Sequence, residues 1–299
     1  MPNWLSSLFT RPQPLVSLRD IEGAERLAAE VYDRPPNLED APGGKRGEID
    51  PGDRFVTGTP SNPMIEPLGE KRTEDLAFRA AVVRASNELA QSGAAFAGTA
   101  KQDKVNEVLW TMGYGGKMQV RKWLKDGGIG KPSAALRDIF KNGDQYGFEC
   151  ATAMMVIYHK AILDHIGDEA FDRLFTEPRN LKFFRWNIED DDFVDVKRLA
   201  HVPSKLKPGS HYYYKNEGAD PKNSAWGGEN VIYLGDGKFY AHGIRGASGN
   251  FVVTEEEILT TLRNLRSPGS TIEPHRIDMV MHLDGLALSK KAVPDTVEV

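Results

Sequence analysis

The stretch "YGFECATAMMVIYHKAIL", Tyr146 to Leu163, constrains this chain more than any other part of it. From about Glu149 to His165 it reads as one helix. Ala151, Ala153, Met154, Val156, Ile157, Ala161 and Ile162 cover most of its circumference, so no broad polar face is left for water. Such a helix has to be largely buried. It also begins at the only cysteine of the chain, Cys150.

The C-terminal half of the chain supplies something to bury it against. "HYYYKN", "NVIYLGDGKFYAHGI" and "NFVVTEEEI" are rich in β-branched and aromatic residues, and Gly235-Asp236-Gly237 signals a hairpin. A central helix followed by an antiparallel sheet predicts an α+β fold, not a doubly wound parallel sheet. Three helices are predicted ahead of the central one. "TEDLAFRAAVVRASNELAQSG" takes Thr73 as cap, places Leu76, Ala80, Val83 and Leu89 on one face and stops at Gly93. "TAKQDKVNEVLW" carries a capping-box pattern from Thr99 to Gln102. "KPSAALRDIFKNG" takes Ser133 as cap and Gly143 as terminator. The Gly-rich "MGYGGKMQV" leads into a strand-like run and lacks the spacing of a phosphate loop.

Charge and proline are unevenly placed, and this suggests a boundary. Residues 1–70 hold seven Lys/Arg, twelve Asp/Glu and ten of the eighteen prolines, whereas the other 229 residues hold 31 of each charge. "SLRDIEGAERLAAEVYD" reads as one short helix behind Ser17, but between Pro35 and Pro67 there is neither a helix nor a strand period. Residues 1–70 are therefore expected to be acidic, Pro-rich and largely extended or disordered, and residues 71–299 to form the folded domain. No stretch approaches the roughly 18 apolar residues of a membrane span, and the N-terminus lacks a secretory pattern. With one cysteine, no intrachain disulfide forms. These features predict a cytoplasmic protein, or one exported without a cleavable signal. The net charge of −5 argues against a nucleic-acid partner.

Cys150 has two readings. A free cysteine often packs as a small hydrophobe. In the first turn of a helix, however, backbone N–H groups and the helix dipole lower a thiol's pKa, which favours a nucleophile. Partners for a nucleophilic thiol lie on the β-rich half, with Glu229 at the mouth of one predicted strand and His242 near the end of its hairpin partner. A helix bearing Cys packed on a sheet bearing His is a papain-like arrangement, used also by NlpC/P60 peptidases. His242 reads equally well as a satisfied, half-buried histidine.

"GFECATAMMVIYHKAILDHIG" together with "WGGENVIYLGDGKFYAHGI" resembles the small bacterial, spore-coat type of protein-glutamine γ-glutamyltransferase, the transglutaminases. The resemblance extends through "SGAAFAGTAKQDKVNEVLW" and "KPSAALRDIFKNG" and covers about Glu74 to His282. Residues 1–70 have no counterpart in the compact members. The resemblance implies a calcium-independent acyltransferase without cofactor on a papain- or NlpC/P60-like core. It implies Cys150 as nucleophile, Glu229 as catalytic partner, Glu149 able to share that role, and His242 close by. Its partners are protein substrates, a glutamine donor and a lysine acceptor. Where the family often has Arg before GEN, this chain has Gly227.

The residue types suit the chemistry. A thiolate converts an unreactive amide to a thioester as ammonia leaves, and a carboxyl of raised pKa, Glu229 beside Glu149, can protonate the leaving amine. Trp226 and the tyrosines Tyr212 to Tyr214 are candidate walls against water, Tyr213 and Trp226 above all, or else ordinary sheet packing. Two other readings stay open: a cysteine peptidase, amidase or deamidase pairing Cys150 with His242, and a non-enzymatic protein with an inert cysteine. "IEDDDF" lacks calcium-loop spacing, and His275 and His282 lie seven apart, where helical metal motifs use three or four, so no metal is assigned.

Overall fold

The computed structural model describes residues 70–113, 117–122, 130–175, 180–183, 197–199 and 206–282. The expected segment 1–70, apart from Glu70, its short helix and "IEDDDF" lie outside these residues. In chain order the elements are α1 (Glu70–Gln91), β1 (Ala95–Phe96), β2 (Trp110–Met112), β3 (Met118–Val120), α2 (Pro132–Lys141), β4 (Gly147–Phe148), α3 (Cys150–Ile166), α4 (Asp168–Leu174), β5 (Lys182–Phe183) and β6 (Lys197–Leu199). They continue with β7 (His211–Lys215), β8 (Gly228–Gly235), β9 (Lys238–Ala241), β10 (Val252–Thr254), α5 (Glu255–Asn264) and β11 (His275–His282).

The predicted central helix is α3, and every residue from Cys150 to Leu163 is buried. Its neighbours are α1, α2, α4, β5 and β8, so helices and sheet enclose it from different sides. Even Lys160 is drawn in, its ammonium 3.1 Å from Glu88 and 2.5 Å from Asp164. The main sheet has six strands in the order β10-β9-β8-β7-β11-β6, all pairs antiparallel. One core lies between this sheet and α1 and α3; a second, with Tyr212, Tyr214, Val231, Phe239, Ile258 and Leu262, lies beneath α5. The mixed α+β architecture is thus as the sequence predicts. The Asp236-Gly237 hairpin is present too, both residues at positive φ as a tight two-residue turn requires.

Several local expectations are corrected. α1 is already helical at Glu70, so Thr73 lies inside it and not at its cap. The buried face of α1 is Phe78, Val82, Ala85 and Leu89, while Leu76, Ala80 and Val83 are only half-buried. The rotation brings in Ser86, which looks polar in sequence but is fully buried and satisfied by donating to Val82 O at 2.8 Å. The helix expected in "TAKQDKVNEVLW" does not form, although Thr99 N–H does donate to Gln102 Oε1. Both backbone groups of Lys104 are taken by Gly147, each at 3.0 Å, and a helix would need them for itself. In α2 the cap position is Lys131, with Pro132 inside the first turn. Ser133 is buried beyond it, and its N–H is capped from outside by Asp172 at 2.7 Å. "TEEE" does not continue the β-run: Thr254 and Glu257 form a capping box that starts α5.

The rotated face of α1 sets a test between two adjacent valines. Val82→Ala should lower stability by about 2 kcal/mol, and Val83→Ala by less than about 1 kcal/mol, in urea titrations followed by circular dichroism. Equal losses would mean that this face is wrongly assigned.

Candidate active site

The start of α3 meets the start of β8, and this junction gathers the polar groups. Glu149 is the N-cap of α3 and fully buried. Its carboxylate accepts from Ala151 N–H (2.5 Å), Thr152 N–H (3.0 Å) and the Thr152 hydroxyl (2.5 Å). An N-cap glutamate is less usual than Ser, Thr, Asp or Asn, and here it places a negative charge at the first residue of the helix. That residue is Cys150, with only 1% of its surface exposed.

The expected lowering of the thiol's pKa is reversed. Burial pushes Cys150 up, and the negative charges of Glu229 and then Glu149 add to it. The helix-terminal N–H groups that would stabilise a thiolate are occupied by the Glu149 cap. A thiol shifted in this direction would need a base before it could act as a nucleophile.

Glu229 lies in the second position of β8 and is also fully buried. Oε1 accepts from Gly243 N–H at 2.9 Å, while Oε2 has no hydrogen-bond partner among the described residues. Burial and the charge of Glu149 push this carboxyl up to about 8, against the opposing pull of Gly243 N–H and the Cys150 thiol. A Cβ at Gly243 would stand 2.7 Å from Oε2, so only glycine leaves that oxygen its space. Glu229 is therefore a carboxyl able both to take and to give a proton near neutrality.

His242 has both ring nitrogens engaged away from Cys150. It is fully buried, its Nδ1 accepts from the Tyr240 hydroxyl at 2.6 Å and its Nε2–H donates to Ala95 O at 3.2 Å. The ring stacks on Phe148, centroids 4.9 Å apart. Burial drives its pKa down to about 3, so it stays neutral. With both nitrogens engaged, no ring atom is left to serve Cys150 as base. The strand pattern sorts the tyrosines: Tyr212 and Tyr214 belong to the core beneath α5, whereas Tyr213 faces the site. Burial, followed by the charges of Cys150 and Glu229, pushes Tyr213 up to about 12. Its hydroxyl lies where a side chain on Gly228 would stand. Trp226 is half-buried at the flank, 5.3 Å from Phe96, whose ring also borders His242 and Gly243.

Cys150, Glu149, Glu229 and Tyr213 thus come together, with Trp226 and His242 one layer out. Three residues of the site are not evident from sequence motifs. Phe96 carries no motif of its own. Asn230, inside "GEN", donates from Nδ2 to Cys150 Sγ at 3.4 Å, and His211, heading "HYYY", bonds to Asn230 Oδ1 through Nε2 at 2.9 Å. A polar residue at an inward position of an otherwise apolar strand was the available signal. Among the described residues no group of three or more His, Cys, Asp or Glu could hold a metal, and no helix is long and apolar enough to cross a membrane. His275 and His282 lie on β11, where helical metal spacing has no application.

Comparison with known proteins places these residues in a lineage. A family profile described as protein-glutamine gamma-glutamyltransferase matches residues 70–292. The chain is 35% identical over 222 residues to the protein of that name from Bacillus mycoides (strain KBAB4), covering 74% of this chain and 73% of the relative. It is 36% identical, with the same coverage, to that from Bacillus anthracis (strain A0248). Among solved structures it is similar to a transglutaminase from Geobacillus stearothermophilus (without C-terminal extension), with TM-score 0.64, 32% identity, and 77% of this chain and 100% of that one covered.

Two expectations come from the site geometry. A carboxyl that ionises near 4.5 in the unfolded chain and near 8 when folded contributes its full stability below the lower value and loses it as pH rises to the higher one. Glu229→Gln should remove that loss, so its melting temperature should exceed the parent's by a margin that widens from pH 5 to 8 and then levels, a gain on the order of a few kcal/mol. A constant margin would contradict the raised carboxyl. Gly243→Ala should cut activity at least about tenfold while the fold persists, by displacing the Glu229 carboxylate; full activity would show that Oε2 has no part in the reaction.

Proposed function

Because the chain belongs to the protein-glutamine gamma-glutamyltransferase family, it is an acyltransferase acting on protein glutamine, and we propose that Cys150 is its nucleophile and Glu229 its principal base and acid. The observation that carries this reading is the buried Glu229 carboxyl, one oxygen held by Gly243 and the other open beside a thiol that has no histidine base.

The cycle is set by the protonation states. The Cys150 sulfur attacks the side-chain carbonyl carbon of a substrate glutamine as its proton passes to Glu229. The tetrahedral species collapses to a thioester, and the same proton leaves with ammonia. A lysine ammonium then gives a proton to Glu229, and its amine attacks the thioester carbon. As the isopeptide bond forms, the nitrogen sheds its second proton to solvent, the sulfur is expelled, and Glu229 returns its proton to the sulfur. Glu149 stays a cap: its oxygens are committed to Ala151 and Thr152, and its charge acts on Cys150 and Glu229 without moving a proton. His242 is a structural prop for the wall formed with Phe148 and Tyr240. Tyr213, Trp226 and Phe96 keep water from the thioester, which would otherwise be hydrolysed to give deamidation. Cysteine at the start of a buried helix on an antiparallel sheet supports a papain- or NlpC/P60-like core, with a carboxyl rather than a histidine as the base. Residues 71–299 form the catalytic domain in this reading, and residues 1–70 are an appended segment.

The test is incorporation of a fluorescent primary amine into a glutamine-rich protein, with a calcium chelator present, alongside ammonia release. Cys150→Ala should abolish both signals. Glu229→Gln should lose at least about 100-fold, and His242→Ala less. The parent's kcat/KM should rise with pH through about 8 as Glu229 ionises, and Glu229→Gln should lack that limb. A chain starting at residue 71 should remain active. Ammonia release without amine incorporation would move the reading to a deamidase. A larger loss in His242→Ala than in Glu229→Gln would favour the cysteine–histidine reading.

A further inference from the structure

The Cys150 sulfur has a neutral donor among its acidic neighbours. Asn230 Nδ2 donates to Sγ at 3.4 Å, and the Asn230 backbone N–H acts on the sulfur in the same sense. At the other end of the amide, Oδ1 lies 2.9 Å from His211 Nε2. The direction of this chain is fixed by chemistry. A thiolate can only accept, so the amide must turn its NH2 to sulfur and its oxygen to the histidine, whose Nε2 must then carry the proton.

His211 is suited to that duty. It is fully buried, and burial holds its pKa down at about 4, so the donor is a neutral imidazole. The register pairs His211 with Ile232 and Tyr213 with Asn230, so the two side chains are diagonal neighbours across β7 and β8. Tyr158 of α3 lies against the imidazole, ring centroids 6.1 Å apart. The groups that act electrostatically on the sulfur are otherwise acidic or phenolic: Glu149 from the start of α3, Glu229 from β8, Tyr213 from β7 and Tyr240 from β9.

We propose that Asn230 is a catalytic residue, donating its amide N–H to the Cys150 sulfur whenever that sulfur carries negative charge, and that His211 is the positioning residue that holds this amide the right way round. The sulfur is charged twice in each cycle, on losing its proton to Glu229 and on leaving the thioester. Glu229 moves the proton at both moments, while Asn230 supplies the donor that the carboxylates cannot. This inference rests on Cys150 as nucleophile.

Cys150 is the only cysteine in the chain, so alkylation by iodoacetamide reports on this sulfur alone. Its rate would be measured from pH 6 to 10 in the whole protein, beside amine-incorporation kinetics and circular dichroism. Asn230→Ala should shift the alkylation profile up by about one unit, or slow the reaction about tenfold at each pH on the rising limb. Its kcat should fall roughly 10- to 100-fold with KM little changed. His211→Phe should move both readouts the same way, and His211→Gln, which keeps an N–H donor, should restore most of the loss. The double variant should be no slower than Asn230→Ala, because His211 acts through Asn230. An Asn230→Ala profile superimposed on the parent's would overturn the proposal, as would a His211→Phe effect undiminished in the Asn230→Ala background. If His211→Phe fails to fold, Asn230→Ala and His211→Gln still decide: a shifted profile in the first with a parent-like second supports the assignment, and an unshifted first overturns it. Activity surviving in Cys150→Ala would instead remove the nucleophile reading, whatever the alkylation profile.

Discussion

A helix that is apolar around most of its circumference has no face to give to water, and the architecture is the consequence of enclosing α3. Helices α1, α2 and α4, with β5 and β8, close on it from different directions, and α1 and the main sheet complete one core with it. The enclosure also fixes chemistry. The first residue of α3 is Cys150, so burying the helix buries its N-terminus with the thiol and the capping carboxylate of Glu149. Glu229 is carried to the same place by β8, the strand packed on α3.

Burial at that junction sets the protonation states on which the proposed cycle depends. In water Cys150 would ionise more easily than it does here, and Glu229 would be ionised well below neutrality. Removed from water, the thiol is pushed toward its protonated form and the carboxyl is raised to about 8, the range in which the proposed cycle uses it. The arrangement is costly to the fold, because a buried carboxyl oxygen with no hydrogen-bond partner among the described residues stabilises nothing. Stability is given up where the chemistry needs it, and the surrounding apolar packing of α1, α3 and the sheet offsets the loss.

Two of the buried histidines, His242 and His211, show how neighbours assign a side chain's role. His242 and His211 are equally inaccessible, and both are held neutral by burial. His242 spends both ring nitrogens on Tyr240 and Ala95 and closes a wall of aromatic rings. His211 spends one on Asn230 and so reaches the sulfur indirectly. A histidine drawn to a cysteine site invites the role of base, but both nitrogens of His242 are engaged elsewhere, which is why the proposed cycle gives proton transfer to a carboxyl.

The sequence by itself determined the central helix to within a residue, the hairpin at Asp236-Gly237, the α+β layering, and the cysteine and glutamates of the site. The helix and the hairpin were legible from composition at fixed spacing, an all-round apolar run and residues that tolerate positive φ, and the cysteine and glutamates were named through the family resemblance of their motifs. Tertiary contact decided the rest. It rotated the buried face of α1 to include Ser86, and denied residues 99–109 their helix by pairing Lys104 with Gly147. α5 began at a capping box, Thr254 to Glu257, that was present in the sequence but hidden behind a β-rich run. The sign of the thiol's shift and the identity of its donor were beyond local reading altogether. Both depend on desolvation and on groups 79 and 80 residues further along the chain, Glu229 and Asn230, which only the packing of β8 on α3 brings to Cys150.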